Sequence, residues 1–376
     1  MRLFERGALK DLRVFDNFIT IPYGIRLVIY GANNVGINLY HTLKQFRGDI
    51  SIVCFVDSFR EFDLDGVPVV RIDHFARIAP EYDYIAITHL NRLPEIELNL
   101  AAFPLEKLAL CFASSFNFYG SRGPVKLDDW HRRAARIHTA LSRPEDKRLW
   151  GILTTGMMTG SLRGLADYLE SMPVEPLTYL EHGAPGKGGV VIEGGAFDGE
   201  TTLRFADAVG PDGVVYAFEP LGPDALAVHI GTRIDLAPRI RILKQALWSE
   251  PAELGFIAEA SASRVIVGEP AGAQAAETQT VQAISVDIFA QERGLSRLDL
   301  IKLDIEGAEL AVLRGAETSI KRFRPIISTA IYHGPEQYVS VPNFLIDMLE
   351  GYQFFLTAHS AVGTDVILHC VPSEAA

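Results

Sequence analysis

The chain has 376 residues, which exceeds one average domain, so two domains are expected. Hydrophobic residues make up 48% of it and charged residues 22%, a globular composition that excludes a mainly disordered chain. The formal net charge of −12, without a long run of Lys or Arg, argues against a nucleic-acid partner because phosphate backbones would be repelled.

The first part of the chain alternates apolar runs with a helix-like stretch. Runs at 26–30, 50–56 and 82–88 predict strands, and residues 35–46 predict a helix between the first two. This rhythm is typical of a parallel sheet covered by helices. We therefore predict a smaller N-terminal Rossmann-like α/β domain over residues 1–112.

The first of these strands ends in the glycine-containing loop Gly31-Ala32-Asn33-Asn34-Val35-Gly36. It is a variant of the dinucleotide-binding fingerprint, with Asn33 in place of the middle glycine. Asn tolerates a positive φ, so we expect the turn to form. Asp57 ends the next strand, and the string DGVPV at 65–69 resembles small Rossmann-like domains found with nucleotide-sugar-modifying enzymes. Two interpretations stay open for this domain: a nucleotide site, or a scaffold without a ligand.

The middle of the chain, residues 113–184, is predicted to be a helical connector because polar helical stretches replace the apolar runs. A glycine-rich stretch at 183–189 predicts a hinge. From residue 190 the strand rhythm restarts, which predicts a second α/β domain over residues 185–376. Its sheet is expected to be mostly parallel, with about seven strands, at 190–193, 214–218, 240–243, 298–303, 325–332, 352–356 and 366–371.

A glycine-rich loop, EGGAFDGETT, follows the first strand of this second domain at 193–202. Glycines allow a tight turn and a close approach between backbone and ligand. The loop lacks the middle glycine that a pyrophosphate needs, and Glu193 would repel phosphate but suits a cationic ligand. Glu219 ends the next strand, where an acid can accept both hydrogen bonds of a ribose diol. A plain glycine turn and a solvated strand-end carboxylate are the alternatives.

A cluster of charges lies in the string DLIKLDIEGAEL at 299–310. Lys302, Asp304, Glu306 and Glu309 are more charges than packing alone needs, so side chains at the carboxyl end of this buried strand are expected to point toward a site. Glu306 and Glu309 also suit the positive end of the helix that follows. Helix capping therefore stays an alternative for these two residues.

The strings EGGAFDGETT, YAFEP and DLIKLDIEGAELAVLRGA strongly resemble the FkbM family of methyltransferases. The segment 326–333, which ends in His333, is similar to that family's next strand, and the resemblance covers about residues 185–372. It implies a class I methyltransferase Rossmann-like fold, with S-adenosyl-L-methionine as cofactor. The implied reaction is O-methylation of a hydroxyl on a sugar, a glycan or a related natural product.

The resemblance also implies roles for single residues. The positions that match cofactor contacts are Glu193, Gly194, Gly195, Ala196, Asp198, Gly199, Thr201, Glu219, Pro220, Gln245, Ala246 and Asp304. The positions that match acceptor-facing, catalytic residues are His333, Asp304 and Glu306. The chain departs from the family at two places. The common first motif D-x-G-A-N-x-G has Phe197-Asp198 in its Asn region here, and Ala358 precedes His359 where an aromatic residue or His is common.

Methyl transfer to a hydroxyl requires alignment of the reactants and removal of a proton. His333 or Asp304 is the expected base, and we favour His333 because its reference pKa lies near neutrality. A divalent metal held by Asp304, Glu306 and His333 is an option that the residue types leave open without favouring it.

Other expectations concern partners and location. The partner is expected to be a small-molecule or glycan acceptor, and a homodimer is the common case among oligomers. The three cysteines show no metal or redox spacing, the N-terminus lacks an apolar signal core, and no spanning run of about 18 apolar residues is present. These features predict a cytoplasmic protein without a membrane span.

Two alternative functions remain. One is a nucleotide-sugar- or NAD-dependent enzyme centred on the N-terminal domain, although no Tyr-x-x-x-Lys pair follows Asp57. The other is a non-catalytic binding protein that keeps the methyltransferase fold.

Overall fold

The structure is a computed structural model that describes residues 12–78, 80–88, 99, 103–113, 127–172, 179–259, 262–266, 278–361 and 363–374. The chain divides into two compact units. The first unit comprises Met1–Trp130, Arg148–Pro176 and Ala358–Asp365, and the second comprises His131–Lys147, Leu177–Thr357 and Val366–Ala376. Residues of the predicted connector are thus distributed over both units.

The first unit contains a seven-stranded sheet with the strand order β1-β7-β6-β2-β3-β5-β4. Its strands are β1 (Arg13–Phe15), β2 (Arg26–Tyr30), β3 (Ser51–Asp57), β4 (Phe62–Leu64), β5 (Val67–Arg71), β6 (Tyr84–Ile87) and β7 (Leu108–Cys111). Only the β4–β5 pairing is antiparallel among the described pairs. Leu27, Val28 and Ile29 of β2 are fully buried, as expected for a parallel strand with both faces covered.

The helices of the first half confirm the predicted alternation. Helix α1 (Asn34–Phe46) connects β2 to β3, and α2 (Ile72–Ile78) follows β5. The polar middle of the chain forms α3 (Leu127–Ala140), α4 (Pro144–Thr159) and α5 (Arg163–Ser171), where helical stretches were predicted. A short 3₁₀ helix (Leu105–Lys107) precedes β7.

The second unit contains a further seven-stranded sheet and a smaller four-stranded one. Its strands are β8 (Val190–Gly194), β9 (Val214–Phe218), β10 (Ile240–Leu243), β11 (Ala246–Leu247), β12 (Ala252–Glu259), β13 (Ala262–Ile266), β14 (Thr278–Ile284), β15 (Leu300–Leu303), β16 (Ile326–Ala330), β17 (Tyr352–Ala358) and β18 (Val366–Pro372). Its remaining helices are α6 (Glu200–Val209), α7 (Pro223–Gly231), α8 (Val286–Glu292), α9 (Glu309–Arg314), α10 (Glu317–Phe323) and α11 (Gln337–Met348), with a 3₁₀ helix at Ala237–Arg239.

The large sheet of this unit has the order β10-β9-β8-β15-β16-β18-β17, and the small sheet has the order β11-β14-β12-β13. Strands β10, β9, β8, β15 and β16 run parallel, whereas β18 is antiparallel to β16. The predicted mostly parallel seven-stranded sheet is therefore confirmed. Within the part of the chain that the structure describes, no helix has the length and apolar character needed to cross a membrane.

Sheet register places the candidate site. Gly194, the last residue of β8, pairs with Phe218 of β9 and with Leu303 of β15, and Leu303 pairs with Thr329 of β16. These four strands end side by side because parallel strands share one carboxyl edge. The loops that follow them, which carry most of the predicted site residues, are therefore neighbours.

Candidate functional site

The glycine loop after β8 is held tightly against the strand end after β15. Gly195 has a φ of +75°, and a Cβ on it would lie 1.9 Å from the carbonyl oxygen of Asp304. Gly199 has a φ of +86°, and its Cβ would lie 2.6 Å from Leu226 of α7. Both positions require glycine, because a side chain would collide with a neighbour and strain the backbone.

Glu193, which was predicted to contact a cationic ligand, lies in a buried environment. It is fully buried at the end of β8, and its carboxylate accepts hydrogen bonds from the hydroxyls of Thr201 and Thr202, the latter at 2.6 Å. Burial raises the pKa of Glu193, and the charge of Lys302 opposes that rise. Glu193 and Thr201 bond to each other and fix the start of α6 to β8, and their contact with the cofactor stays a prediction.

Lys302 was noted in the sequence as a charge but received no role there. Its ammonium group donates to the carbonyl oxygen of Gly195 at 2.6 Å and lies 3.3 Å from that of Gly194. It also lies 4.9 Å from the centre of the Tyr179 ring, and its side chain is almost completely buried. Lys302 therefore binds the first two carbonyl groups of the glycine loop.

Glu219 follows β9 beside the same loop and is half-buried. Its carboxylate accepts hydrogen bonds from the backbone N–H groups of Phe197 at 2.9 Å, Leu221 at 3.1 Å and Gly222 at 3.2 Å. A carboxylate can accept about four hydrogen bonds, so three backbone donors leave capacity for a ligand hydroxyl. Pro220, which follows directly, is also half-buried.

The other predicted cofactor residues lie around the same strand ends. Asp198 is exposed, and its carboxylate accepts from the backbone N–H of Glu200 at 3.1 Å. Ala196 is buried, and its N–H donates to the carbonyl oxygen of Phe218 at 3.4 Å. A Cβ on Gly194 would lie 3.2 Å from Leu247, which brings β11 close to the loop. The predicted residues Gln245 and Ala246 directly precede Leu247, the first half-buried and the second buried.

Asp304 follows β15, and two phenol groups bind its carboxylate. The hydroxyl of Tyr179 donates to Oδ2 at 2.6 Å, and that of Tyr332 donates to Oδ1 at 3.2 Å. Sequence reasoning missed both tyrosines. Tyr179 lies 125 positions before Asp304 and precedes the first motif, so no local pattern indicates their contact.

His333 follows β16 and is surrounded by three carboxylates. Its Nδ1 lies 2.9 Å from Oε1 of Glu309, and its Nε2 lies 3.4 Å from Asp304 and 3.5 Å from Glu306. Burial lowers the pKa of His333, but the Glu309 hydrogen bond and the three negative charges outweigh burial and raise it to about 9. The imidazole is thus protonated near neutral pH, which corrects the reason for favouring His333 as the base.

Glu309 and Glu306 differ in their environments. Glu309 is fully buried, and its carboxylate accepts from the backbone N–H of Ile305 at 2.9 Å and from the side-chain amide of Gln337. It therefore closes the turn before α9, whose N-cap residue, Ala308, has no side-chain capping bond. Glu306 adopts a left-handed φ of +56°, and its side chain is 40% exposed. Left-handed backbone at a residue other than glycine is strained, and such strain is common at functional sites.

The same cluster has the spacing of a metal site. Asp304, Glu309 and His333 each offer a ligand atom, and these atoms lie within 4.8 Å of one another. The three residues come from two adjacent strand ends and the helix between them. Carboxylate oxygens and an imidazole nitrogen are both common ligands of divalent ions.

The loop of the N-terminal unit differs from its sequence prediction. Gly31 supplies the positive φ, +108°, whereas Asn33 has a φ of −103°. The Asn33 side chain accepts from the N–H groups of Val35 at 3.1 Å and Gly36 at 3.0 Å and caps α1. The expectation of positive φ at Asn33 is therefore wrong. Since a pyrophosphate would use these helix-end amides, their occupation by Asn33 argues against dinucleotide binding at this loop.

Asp57 makes the same hydrogen-bond pattern in the first unit that Glu219 makes in the second. It accepts from Ala32 of the preceding loop at 3.2 Å and from the following amides of Phe59 at 2.9 Å and Arg60 at 3.2 Å. In each unit a strand-end acid thus ties the loop of the neighbouring strand to its own turn. This shared pattern shows a structural role for the acid that needs no ligand.

A Tyr-x-x-x-Lys pair occurs before Asp57, on α1. Lys44 Nζ donates to the Tyr40 hydroxyl at 3.2 Å. Tyr40 is buried, and its ring packs at 5.7 Å against that of Phe55 in β3. Packing against the core accounts for this pair.

Comparisons with known proteins agree with the motifs. Residues 193–356 match the family model described as the methyltransferase FkbM domain. The crystal structure of methyltransferase FkbM from Methylobacillus flagellatus KT is similar with a TM-score of 0.59 and 18% sequence identity, covering 93% of this chain and 90% of that one. At this identity the likeness shows the fold alone. No curated protein matches the chain.

Two further solved structures are similar over about half of the chain. A putative rRNA-methylase from Clostridium thermocellum has a TM-score of 0.32 and 14% identity, covering 50% of this chain and 87% of its own. Fibrillarin from Aeropyrum pernix, solved with natively bound S-adenosyl-L-methionine, has a TM-score of 0.31 and 13% identity, covering 52% and 71%. TM-scores this low do not support a family assignment, so the assignment depends on the matched segment and the motifs. Residues 193–356 of this chain form an FkbM methyltransferase domain.

Proposed function

We propose that this protein is an S-adenosyl-L-methionine-dependent methyltransferase that acts on a hydroxyl group of a sugar, a glycan or a related natural product. The main support for this proposal is the pairing of the strand ends. The glycine loop after β8, Glu219 after β9 and the carboxylates after β15 follow strands whose last residues pair with one another. A ribose-binding acid and a group of acceptor-facing carboxylates are thus neighbours at the sheet edge where ligands bind.

The chemistry of these residues fits the cofactor. Glu219 and Asp198 make the loop region anionic, and the buried ammonium group of Lys302 is bonded to loop carbonyl groups. An anionic site suits a sulfonium cation and an unphosphorylated nucleoside better than a pyrophosphate. Glu219 would bind a ribose hydroxyl, and the segment at Gln245 and Ala246 would contact the adenine. The bound cofactor supplies an activated methyl group, so the protein needs no covalent intermediate.

The acceptor side is assigned to Asp304, Glu306 and His333. Tyr179 and Tyr332 fix the Asp304 carboxylate, and Glu309 fixes the imidazole. An acceptor hydroxyl placed here would donate to a carboxylate and be held in line for transfer, which is a proximity effect. The hydroxyl proton passes to a carboxylate and from there to solvent. His333 takes a positioning role in place of the base predicted from sequence.

Calorimetric titration of S-adenosyl-L-methionine into the full-length protein tests the cofactor assignment. Wild type should bind, and Glu219→Gln should weaken binding by about 10- to 100-fold, because a hydrogen bond to a charged group contributes about 1.5–3 kcal/mol. The matched control is Glu317→Gln on α10, since Glu317 has similar exposure and bonds only Lys321 among the contacts described for it. Absence of binding by wild type would contradict the proposal.

The release of S-adenosylhomocysteine in the presence of a panel of sugars and glycosides tests the acceptor class. We expect Asp304→Asn to lower turnover by about 10²–10⁴-fold, the typical contribution of a positioned proton acceptor. Cofactor binding should change less than turnover. Acceptance of amines but no hydroxyl compound would overturn the O-methylation part alone.

NAD and a UDP-sugar serve as further ligands in the same calorimetric experiment. Binding of either one with no binding of S-adenosyl-L-methionine would favour the alternative centred on the N-terminal unit. Cofactor binding without turnover on a broad acceptor panel would favour a binding protein. We further propose a small-molecule or glycan partner and a cytoplasmic location, which three free, buried cysteine thiols support.

A further inference from the structure

We propose that His333, Asp304 and Glu306 bind a divalent transition-metal ion. The main observation is the Nε2 atom of His333. It is buried and has no hydrogen-bond partner among the residues that the structure describes, although the His333 side chain is only 6% exposed. A buried polar atom without a partner is costly, so an imidazole nitrogen in this position requires an explanation.

Two carboxylate oxygens lie near this nitrogen. Oδ1 of Asp304 lies 3.4 Å from Nε2, and Oε2 of Glu306 lies 3.5 Å from it. Ligands that are each about 2.0–2.2 Å from one ion lie roughly 3.0–3.5 Å apart. Each carboxylate oxygen is therefore close enough to Nε2 for an ion to lie between the two atoms.

Neighbouring side chains hydrogen-bond the three proposed ligands and fix their orientation, as the supporting residues of known metal sites do. Nδ1 of His333 bonds Glu309, whose carboxylate is itself fixed by Ile305 and Gln337. Metal-binding histidines usually bond a carboxylate or carbonyl through the other ring nitrogen, which fixes the orientation of the ring. Nδ1 is thus committed to Glu309, and Nε2 is directed toward Asp304 and Glu306.

Asp304 and Glu306 show two further features of ligands. The Asp304 carboxylate is bound by the hydroxyls of Tyr179 and Tyr332, and hydrogen-bonded carboxylates are usual in metal sites. Glu306 keeps a strained left-handed backbone, and its side chain is 40% exposed. Its exposure leaves a solvent-accessible side where an ion can enter and keep water or another oxygen ligand.

Charge and ligand type indicate the class of ion. Three carboxylates surround one imidazole here, so a divalent cation that displaces the Nε2 proton would balance an excess of negative charge. A mixed nitrogen and oxygen set suits first-row ions such as Mn²⁺ or Zn²⁺ better than Ca²⁺. The residue types alone do not favour a metal ion over a metal-free site. The buried Nε2, which has no hydrogen-bond partner among the described residues, favours the metal ion. Metal binding itself is independent of methyl transfer, and only the placement of an acceptor oxygen on the ion rests on the proposed function.

Titration with Mn²⁺, followed by electron paramagnetic resonance, tests the site in the full-length protein after EDTA dialysis and without cofactor. We expect one Mn²⁺ per chain in wild type and at least about 10-fold weaker binding in Glu306→Gln. His333→Gln should weaken binding further. Tyr179→Phe should reduce affinity by about 10- to 100-fold, the typical effect of removing an outer partner. Glu317→Gln, with matched exposure on α10, should bind like wild type.

Competition by Zn²⁺ and Mg²⁺ defines the ion, and thermal melting checks that each variant folds. The proposal is overturned if wild type binds neither Mn²⁺ nor Zn²⁺, or if folded Glu306→Gln binds both as wild type does. Should His333→Gln not fold, the exposed Glu306 position still decides the outcome. The same samples are titrated with S-adenosyl-L-methionine, so a failed metal site and a failed cofactor assignment give different results.

Discussion

Lys302 and Glu193 face each other across neighbouring strands at the centre of the second sheet. They are register partners in β15 and β8, and Lys302 Nζ lies 3.8 Å from Oε1 of Glu193. Their side chains are 3% and 0% exposed. The ammonium group also bonds the carbonyl of Gly195, so this buried pair connects the sheet to the glycine loop. Loss of one partner would leave the other charge buried and unpaired.

Lys302→Met is expected to lower the free energy of unfolding by about 3–5 kcal/mol, the typical cost of breaking a buried pair from one side. Urea denaturation followed by circular dichroism measures it. The double variant with Glu193→Gln should recover part of the loss, because no unpaired charge then remains. Equal destabilisation in the single and double variants would contradict this account.

The same variant should also change how stability depends on pH. Burial raises the pKa of Glu193, and Lys302 opposes the rise, so removing Lys302 raises the pKa further. A carboxyl group with a raised folded-state pKa favours the folded state when it is protonated. Its contribution is therefore lost as pH rises from its ordinary pKa of 4.5 toward the folded value. Lys302→Met should lose more stability than wild type as the pH rises above 4.5.

Gly195→Ala tests the close approach between the glycine loop and Asp304. The new Cβ would lie 1.9 Å from a backbone oxygen at a φ of +75°, so the loop must move. We expect a loss of about 2 kcal/mol or more in unfolding free energy, together with loss of cofactor binding. Gly222→Ala is the matched control, because nothing lies within 4 Å of its Cβ and its φ is −123°. Similar effects of the two substitutions would be evidence against steric control of the loop.

Phe197→Asn tests a strained position in the same loop. Phe197 has a left-handed φ of +47°, its side chain is 74% exposed, and its N–H bonds Glu219. Asn tolerates this conformation better than Phe, and the backbone hydrogen bond is unaffected by the change. We expect the melting temperature to rise, with a gain of about 0.5–1 kcal/mol. A drop in cofactor affinity would show that the aromatic ring contacts the ligand.

The three thiols are expected to be unreactive in the folded protein. Burial raises the pKa of Cys54 and of Cys111 to about 12, and it also raises the pKa of Cys370. The thiolate is the reactive form, and at pH 8 only about one in ten thousand thiols of pKa 12 is ionised. Ellman's reagent should modify the native protein slowly and all three thiols rapidly in guanidinium chloride. Rapid reaction of a native thiol would mean that its strand opens locally.

Much of the fold could be predicted from local patterns. The apolar runs at 214–218 and 240–243 are strands β9 and β10 with unchanged bounds, and the run at 190–193 differs from β8 by one residue. Continuous apolar runs mark buried parallel strands because both faces are covered. Strands β1 and β4 were not predicted, since three residues are too few to show a period.

The candidate site could be predicted only in part. The glycine loop, Glu219 and Asp304 were found because fixed spacing after a strand indicates a ligand loop. The role of His333 as base was inferred from its reference pKa, and its three carboxylate neighbours change that value. A pKa depends on groups brought near by folding, which a residue's own identity does not reveal.

The order of strands along the chain, the glycine loop and the family of residues 193–356 could be read from the amino-acid sequence. These features are local, because each depends on a few consecutive residues and their spacing. The bonds of Tyr179 to Asp304, of Lys302 to the loop carbonyls and of Glu309 to His333 form only when the chain folds. These contacts join separate strand ends and loops, and the sheet order that creates them is set by the packing of the whole unit.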